Sequence, residues 1–232
     1  MIRRGAAALV TGVVLACAAP LASAQHARLF PPARLGELEG PDRDAWQRPE
    51  QVMDALSIGD GSVVADLGAG GGWFSVRLAR RVGPRGRVYA EDIQPQMIDA
   101  IKGRVERENL SNLVTVMGTA DDPRLPPGVD AALIVGSFHE MQLDESGKRR
   151  DPVVLLQNIA RALKPQGRLG VVDFLPGAGG PGPDADQRVD PQSVIRAAAE
   201  AGLVFISRDD VPPFEYLLIF GRSRPVSGRG TP

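Results

Sequence analysis

The sequence predicts an α/β fold: a doubly wound, mostly parallel sheet of seven strands whose last strand runs antiparallel. Three observations lead there. Residues 63–74 read Val-Val-Ala-Asp-Leu-Gly-Ala-Gly-Gly-Gly-Trp-Phe, an apolar strand passing through a glycine turn into a helix. Short apolar strands and amphipathic helices then alternate as far as residue 174, the pattern of a parallel sheet covered on both faces. Last, only residues 209–213 separate the final two strand-like runs. A parallel return needs about a dozen connecting residues, so those runs are expected to pair as an antiparallel hairpin.

The chain opens on a leader. Met1-Ile2-Arg3-Arg4 precedes an uncharged run of alanine, valine, leucine and glycine that closes on Ala22-Ser23-Ala24, the layout of a secretory signal with its cleavage site. The run is too short and too alanine-rich for a spanning helix of about 20 strongly apolar residues. Residues 1–24 are therefore assigned to a signal peptide and the mature protein to the periplasm; a misassigned start codon would leave it cytoplasmic. Cys17, the only cysteine, lies in Val14-Leu15-Ala16-Cys17, which also resembles a lipoprotein cleavage box, so a lipid anchor at Cys17 stands as the alternative. The Arg3-Arg4 pair suits either the twin-arginine route or an ordinary leader.

At 43% hydrophobic and 24% charged over its 232 residues, the chain has the composition of one globular domain. Removing the two leader arginines leaves 25 Lys+Arg against 28 Asp+Glu, a net charge of −3, which argues against a nucleic-acid partner.

Residues 25–44 carry Pro31-Pro32, Gly36 and Gly40-Pro41 without sustained periodicity and read as an extended arm before a domain at 45–221. A helix is expected over 46–56, with Pro49 in a first turn, followed by the first strand at 62–67. After the glycine turn come a helix at 73–82, a strand at 87–91, a helix at 95–108 and a strand at 113–117. A loop at 121–128 leads to a strand at 131–135 and a helix at 152–163, stopped by Lys164-Pro165-Gln166-Gly167. The fifth strand spans 168–174. A Pro/Gly-rich loop at 176–186 precedes a helix at 191–201 and the hairpin strands at 204–208 and 214–220. Residues 222–232 form a polar tail, expected to be disordered.

The turn itself suggests a ligand. Glycines tolerate positive φ and let a ligand lie directly on the backbone, where free N–H groups at the helix start meet an anionic group. The spacing of Gly68, Gly70 and Gly72 is G-x-G-x-G, whereas the dinucleotide fingerprint is G-x-G-x-x-G. Asp92 follows Asp66 by 26 positions, which puts an acid at the tip of the neighbouring strand, placed to accept hydrogen bonds from ribose hydroxyls.

Val-Val-Ala-Asp-Leu-Gly-Ala-Gly-Gly-Gly (63–72), Val-Tyr-Ala-Glu-Asp-Ile (88–93) and Leu-Lys-Pro-Gln-Gly-Arg-Leu (163–169), together with the terminal hairpin, resemble the class I S-adenosylmethionine-dependent methyltransferases over about residues 45–221. The resemblance implies the Rossmann-like fold of that family and S-adenosyl-L-methionine as cofactor. It places Asp66 and the backbone of Gly68, Ala69 and Gly70 at the methionine end, Asp92 at the ribose, and Ile93, Thr119 and Ala120 around the adenine. Relatives often carry an acid after the glycine that ends strand three; here Thr119 stands there, with Asp121 two residues later. The resemblance also has the arm close over the cofactor, with Trp46 and Gln51 as contacts.

For catalysis the candidates are His139 and Asp173, at the ends of strands four and five, the edge where ligands lie in open α/β sheets. His139 is either a proton acceptor near neutral pH or a structural loop histidine. Asp173 either assists as a base or ligates a cation with His139 and Glu140, and Glu140 otherwise reads as a solvated neighbour. These three lack metal-ligand spacing, so no metal is expected. Trp46, Trp73 and Phe138 are candidates to wall the site, an aromatic face suiting a cationic sulfonium. Arg149-Arg150 reads as a solvated charge run. The loop at 176–186 is either part of the acceptor site or a floppy insertion.

The expected function is methyl transfer to a small-molecule or lipid-like acceptor. The alternative is a non-catalytic exported nucleoside-binding protein that keeps the fold. An NAD-dependent oxidoreductase is disfavoured by the glycine spacing and by the hairpin end.

Overall fold

The computed structural model describes residues 29–143, 148–177 and 179–223. The leader with Cys17, the first residues of the arm, and the tail from residue 224 lie outside the described residues.

Seven strands form one sheet: β1 (Val63–Leu67), β2 (Arg87–Asp92), β3 (Leu113–Met117), β4 (Val129–Val135), β5 (Leu163–Phe174), β6 (Leu203–Val211) and β7 (Glu215–Arg222). Their spatial order is β3-β2-β1-β4-β5-β7-β6. The first five are parallel, while β7 runs antiparallel to both β5 and β6, as the short connection requires. The chain winds outward from β1 to β3, then crosses to the other side of β1 for β4. That reversal opens a crevice at the carboxyl ends of β1 and β4.

Helices cover both faces. α1 (Arg43–Gln47), α2 (Pro49–Ala55), α3 (Trp73–Val82), α4 (Pro95–Glu108), α5 (Phe138–Met141), α6 (Val153–Ala162) and α7 (Pro191–Glu200) complete the inventory of α-helices among the described residues. One core joins Val52 and Met53 of α2, Phe74 and Leu78 of α3 and Ile101 of α4 to Val64, Val88, Leu133 and Val172. The other joins Leu156 and Ile159 of α6 and Val194 and Ala198 of α7 to Leu67, Ile134, Val171 and Phe220. Alternate residues of each central strand thus feed opposite cores, which is why those strands are apolar throughout. Leu133, 0% exposed on β4, sits mid-sheet. Leu133→Ala is expected to cost about 2–5 kcal/mol of stability, read from the midpoint of a denaturant melt.

Local structure differs from the sequence reading in three places. The single helix expected over 46–56 breaks at Arg48, whose φ of 46° is left-handed, giving α1 and α2. The arm carries a 3-10 helix at Pro32–Glu39, opened by its prolines, where an extended segment was expected. Residues 164–167 do not simply end α6. Leu163 already pairs with Val129, and pairing resumes at Arg168 opposite Ala131, so the four residues loop out within β5.

Candidate functional site

The glycine turn after β1 is shaped by close approaches. Gly68 has φ of 64°, and a β-carbon there would fall 2.7 Å from the Ser137 hydroxyl. Gly70, at φ 55°, donates its N–H to Asp92 Oδ2 at 2.9 Å, and the other Asp92 oxygen accepts the Gln94 N–H at 2.9 Å. Asp92 is thereby fixed at the tip of β2, one carboxylate edge against the glycine turn. Burial raises its proton affinity above the ordinary aspartate value, opposed by those backbone donors.

Asp66 lies beneath the turn, 2% exposed, accepting the Ser75 hydroxyl of α3 at 2.5 Å. Burial pushes its carboxyl up to about 6, against that hydrogen bond and the nearby Arg43 charge. Glu91, the residue before Asp92 on β2, is 4% exposed, and burial pushes it up to about 8. Burial thus disfavours the charged form of both carboxyls, and a positive charge placed beside them would favour their ionisation.

A crevice of about 980 Å³ runs from this turn across the ends of β4 and β5. Asp66, Gly68, Ala69, Gly70, Asp92, Ile93, Thr119, Ala120, Trp46 and His139 all line it. The structure therefore gathers nearly every residue that the sequence nominates. Gln51 is placed elsewhere: α2 turns it outward, where it donates to the Asp210 carbonyl at 3.3 Å. Gln47, one turn earlier, faces the crevice instead.

His139 and Asp173 meet. Asp173, 0% exposed, accepts the His139 backbone N–H at 3.1 Å, and its carboxylate lies 3.3 Å from His139 Nδ1. Asp173 is not among the residues that line the crevice; it is fully buried and holds His139, a geometry suited to orienting the ring. Burial pulls the His139 proton affinity down, but the bond to Asp173 and the charges of Asp173 and Glu140 outweigh it, and the net shift is upward. His139 Nε2 stands 3.8 Å from Glu140, beyond hydrogen-bond length.

The aromatic wall is partly as expected. Trp46 lines the crevice with Phe174, their ring centroids 6.1 Å apart. Trp73 also lines it, but guanidinium carbons of Arg43 and Arg77 sit 4.2 Å and 3.4 Å from its ring centre. Phe138 is 1% exposed in the core under α6 and lines nothing.

Several side chains gain roles that composition does not announce. Glu140 is not a solvated neighbour: it accepts the Phe30 N–H at 3.1 Å, while Gln94 donates to the Phe30 carbonyl at 3.2 Å. These bonds tie the arm across the crevice, and Leu35 and Leu38 settle on Gly71 and Gly70 behind it. Glu39 pairs with Arg104 of α4 at the arm's far end. Arg43 donates to Gln47, which donates to Glu215 at 2.5 Å; burial pushes Glu215 up to about 8 and pulls Arg43 down to about 10. Arg150 is not free in solvent either, since it holds Asp121 and the Ala120 carbonyl. Around the described residues of the loop at 176–186, Arg188 donates to the carbonyls of Leu175, Gly179, Pro181 and Pro183. Gly182 lies so close to Phe174 that a β-carbon would fall 2.6 Å from the ring.

Comparison with known proteins agrees with this geometry. A family profile described as a methyltransferase domain matches residues 64–167. An uncharacterized methyltransferase of Mycobacterium tuberculosis is 34% identical over 125 residues, 53% of this chain and 44% of the relative. The ubiquinone/menaquinone biosynthesis C-methyltransferase of Pasteurella multocida is 33% identical over 134 residues, 56% of this chain and 45% of that one. The chain spans less than half the length of these relatives. Among solved structures, a SAM-dependent methyltransferase from Aquifex aeolicus superposes with a TM-score of 0.75 at 24% identity, covering 82% of this chain and 98% of that one. Geranyl diphosphate C-methyltransferase from Streptomyces coelicolor, solved with S-adenosyl-L-homocysteine, gives 0.62 at 18%, covering 85% and 91%. At these identities the structural likeness is one of fold.

Proposed function

Because this chain carries a methyltransferase domain of the class I S-adenosylmethionine-dependent family, we propose that it transfers a methyl group from S-adenosyl-L-methionine to a small-molecule or lipid-like acceptor seated in the same crevice. The observation that carries the reading is the presence, in one cavity, of the Asp92-pinned glycine turn and a histidine backed by a buried aspartate. It favours transfer over the binding-only alternative, since a cradle alone has no use for an oriented proton acceptor.

When bound, the sulfonium cofactor supplies an activated methyl group and a neutral leaving thioether. The residues of the chain align and desolvate. Asp92 accepts ribose hydroxyls, and the buried carboxyls of Asp66, Glu91 and Glu140 hold their protons more tightly than in water, so that a cationic ligand beside them would favour their ionised forms. Trp46, Phe174 and the Arg188-held loop exclude water from the acceptor end. His139 Nε2 accepts the proton of an oxygen or nitrogen nucleophile, with Asp173 stabilising the imidazolium at Nδ1.

Calorimetric titration with S-adenosylmethionine, S-adenosylhomocysteine and NAD tests the cofactor. Binding of the two sulfur nucleosides without NAD is expected, and no heat from either would sink the reading. Mass spectrometry of cell extract incubated with the protein and methyl-labelled cofactor then identifies the acceptor. Export is part of the proposal, supported by the leader at 1–24. Amino-terminal sequencing of the protein from a periplasmic fraction checks it: a start at Gln25 is expected, and an uncleaved cytoplasmic chain would refute it.

A further inference from the structure

The base end of the crevice has no evident reader. Thr119 turns its hydroxyl into its own loop, accepting the Asp122 N–H at 3.0 Å. Asp121 is held away by Arg150. Neither is free to meet the exocyclic amino group of an adenine whose ribose rests on Asp92. Directly beside Asp92, however, Glu91 lines the crevice with a carboxyl group that is almost fully buried.

Its two oxygens are not equivalent. Oε2 accepts the Gly68 N–H at 3.3 Å, the only hydrogen bond that the group makes among the described residues. Oε1 lies over Gly118, so close that a β-carbon at that position would fall 1.8 Å from it. Glycine at the end of β3 is thus what admits the carboxyl group to the floor beside Thr119. A buried carboxylate with one weak donor is under-satisfied, and a second donor arriving with a ligand would complete its shell. Asp66, Asp92 and Asp122, the charged groups that act most on it, are all acidic.

We propose that Glu91 reads the adenine base, with Oε1 accepting the six-position amino group while Oε2 stays on Gly68. The assignment rests on the methyltransferase reading and adds the residue that selects the base. It also fixes what a glutamine would do. The Gly68 N–H demands an acceptor at the Oε2 position, so Glu91→Gln must turn its amide nitrogen, a donor, toward the base. A donor there repels the amino group of adenine and welcomes the carbonyl of hypoxanthine.

The test is calorimetry of full-length wild type, Glu91→Gln and Glu91→Leu with S-adenosylhomocysteine and its deaminated analogue S-inosylhomocysteine, with thermal melts to verify folding. Wild type is expected to prefer the adenosyl compound by about tenfold, the worth of one buried hydrogen bond. Glu91→Gln is expected to reverse that preference and Glu91→Leu to abolish it. A Glu91→Gln protein with the wild-type preference and affinity overturns the assignment while leaving the methyltransferase reading intact. A wild type that binds neither compound overturns both.

Discussion

Asp92→Ala is expected to weaken S-adenosylhomocysteine binding by about two orders of magnitude. Asp92 is held at the crevice wall by Gly70 and Gln94, so its carboxylate is aligned before any ligand arrives. Two ribose hydroxyls bonded to a pre-set carboxylate contribute about 1.5 kcal/mol each, and roughly 1.4 kcal/mol is tenfold in affinity. Alanine also frees two backbone N–H groups and loosens the turn. Asp92→Asn separates these effects, because its amide oxygen keeps one of those bonds while the charge is lost; an intermediate loss is expected. Isothermal titration reads the affinities, and a melting curve shows whether the fold has been touched. Wild-type affinity in the alanine variant would refute the ribose role.

His139→Ala is expected to reduce turnover on the identified acceptor by about 10²–10⁴-fold while leaving S-adenosylhomocysteine affinity within about twofold. The pH profile distinguishes catalysis from scaffolding. As a base His139 must be neutral, and its proton affinity lies above the ordinary histidine value despite burial, because Asp173 and Glu140 favour the cation. The rate should therefore climb as pH rises past about 6.5, the free-histidine value. Asp173→Asn removes a charge that raises it, so the climb should move to lower pH, with a lower plateau from lost control of the tautomer. A profile unmoved by Asp173→Asn, or full turnover without His139, would reduce the pair to structure.

Much of this was legible in the residues because periodicity and turn chemistry are local. The apolar strands, the glycine turn and the short link before β7 each state their geometry within a few positions. What the sequence hid depends on long-range packing. Arg43 reads as an exposed arm residue, yet it lies against Trp73 and is bonded to Gln47, and Gln47 in turn reaches Glu215, 168 positions away. Gln51 was nominated from its neighbourhood, but the left-handed Arg48 resets the helix phase and presents Gln47 in its place. Glu91 had one signal, an acid where a buried strand calls for an apolar side chain. The loop at 176–186, rich in proline and glycine, is held by Arg188 just beyond it.

The strap made by Phe30 to Glu39 has a kinetic corollary. It crosses the mouth of the crevice and is latched at both ends, to Glu140 and Gln94 on one side and Arg104 on the other. A molecule seated beneath it is expected to leave more slowly than from an open cleft, because the strap must first lift.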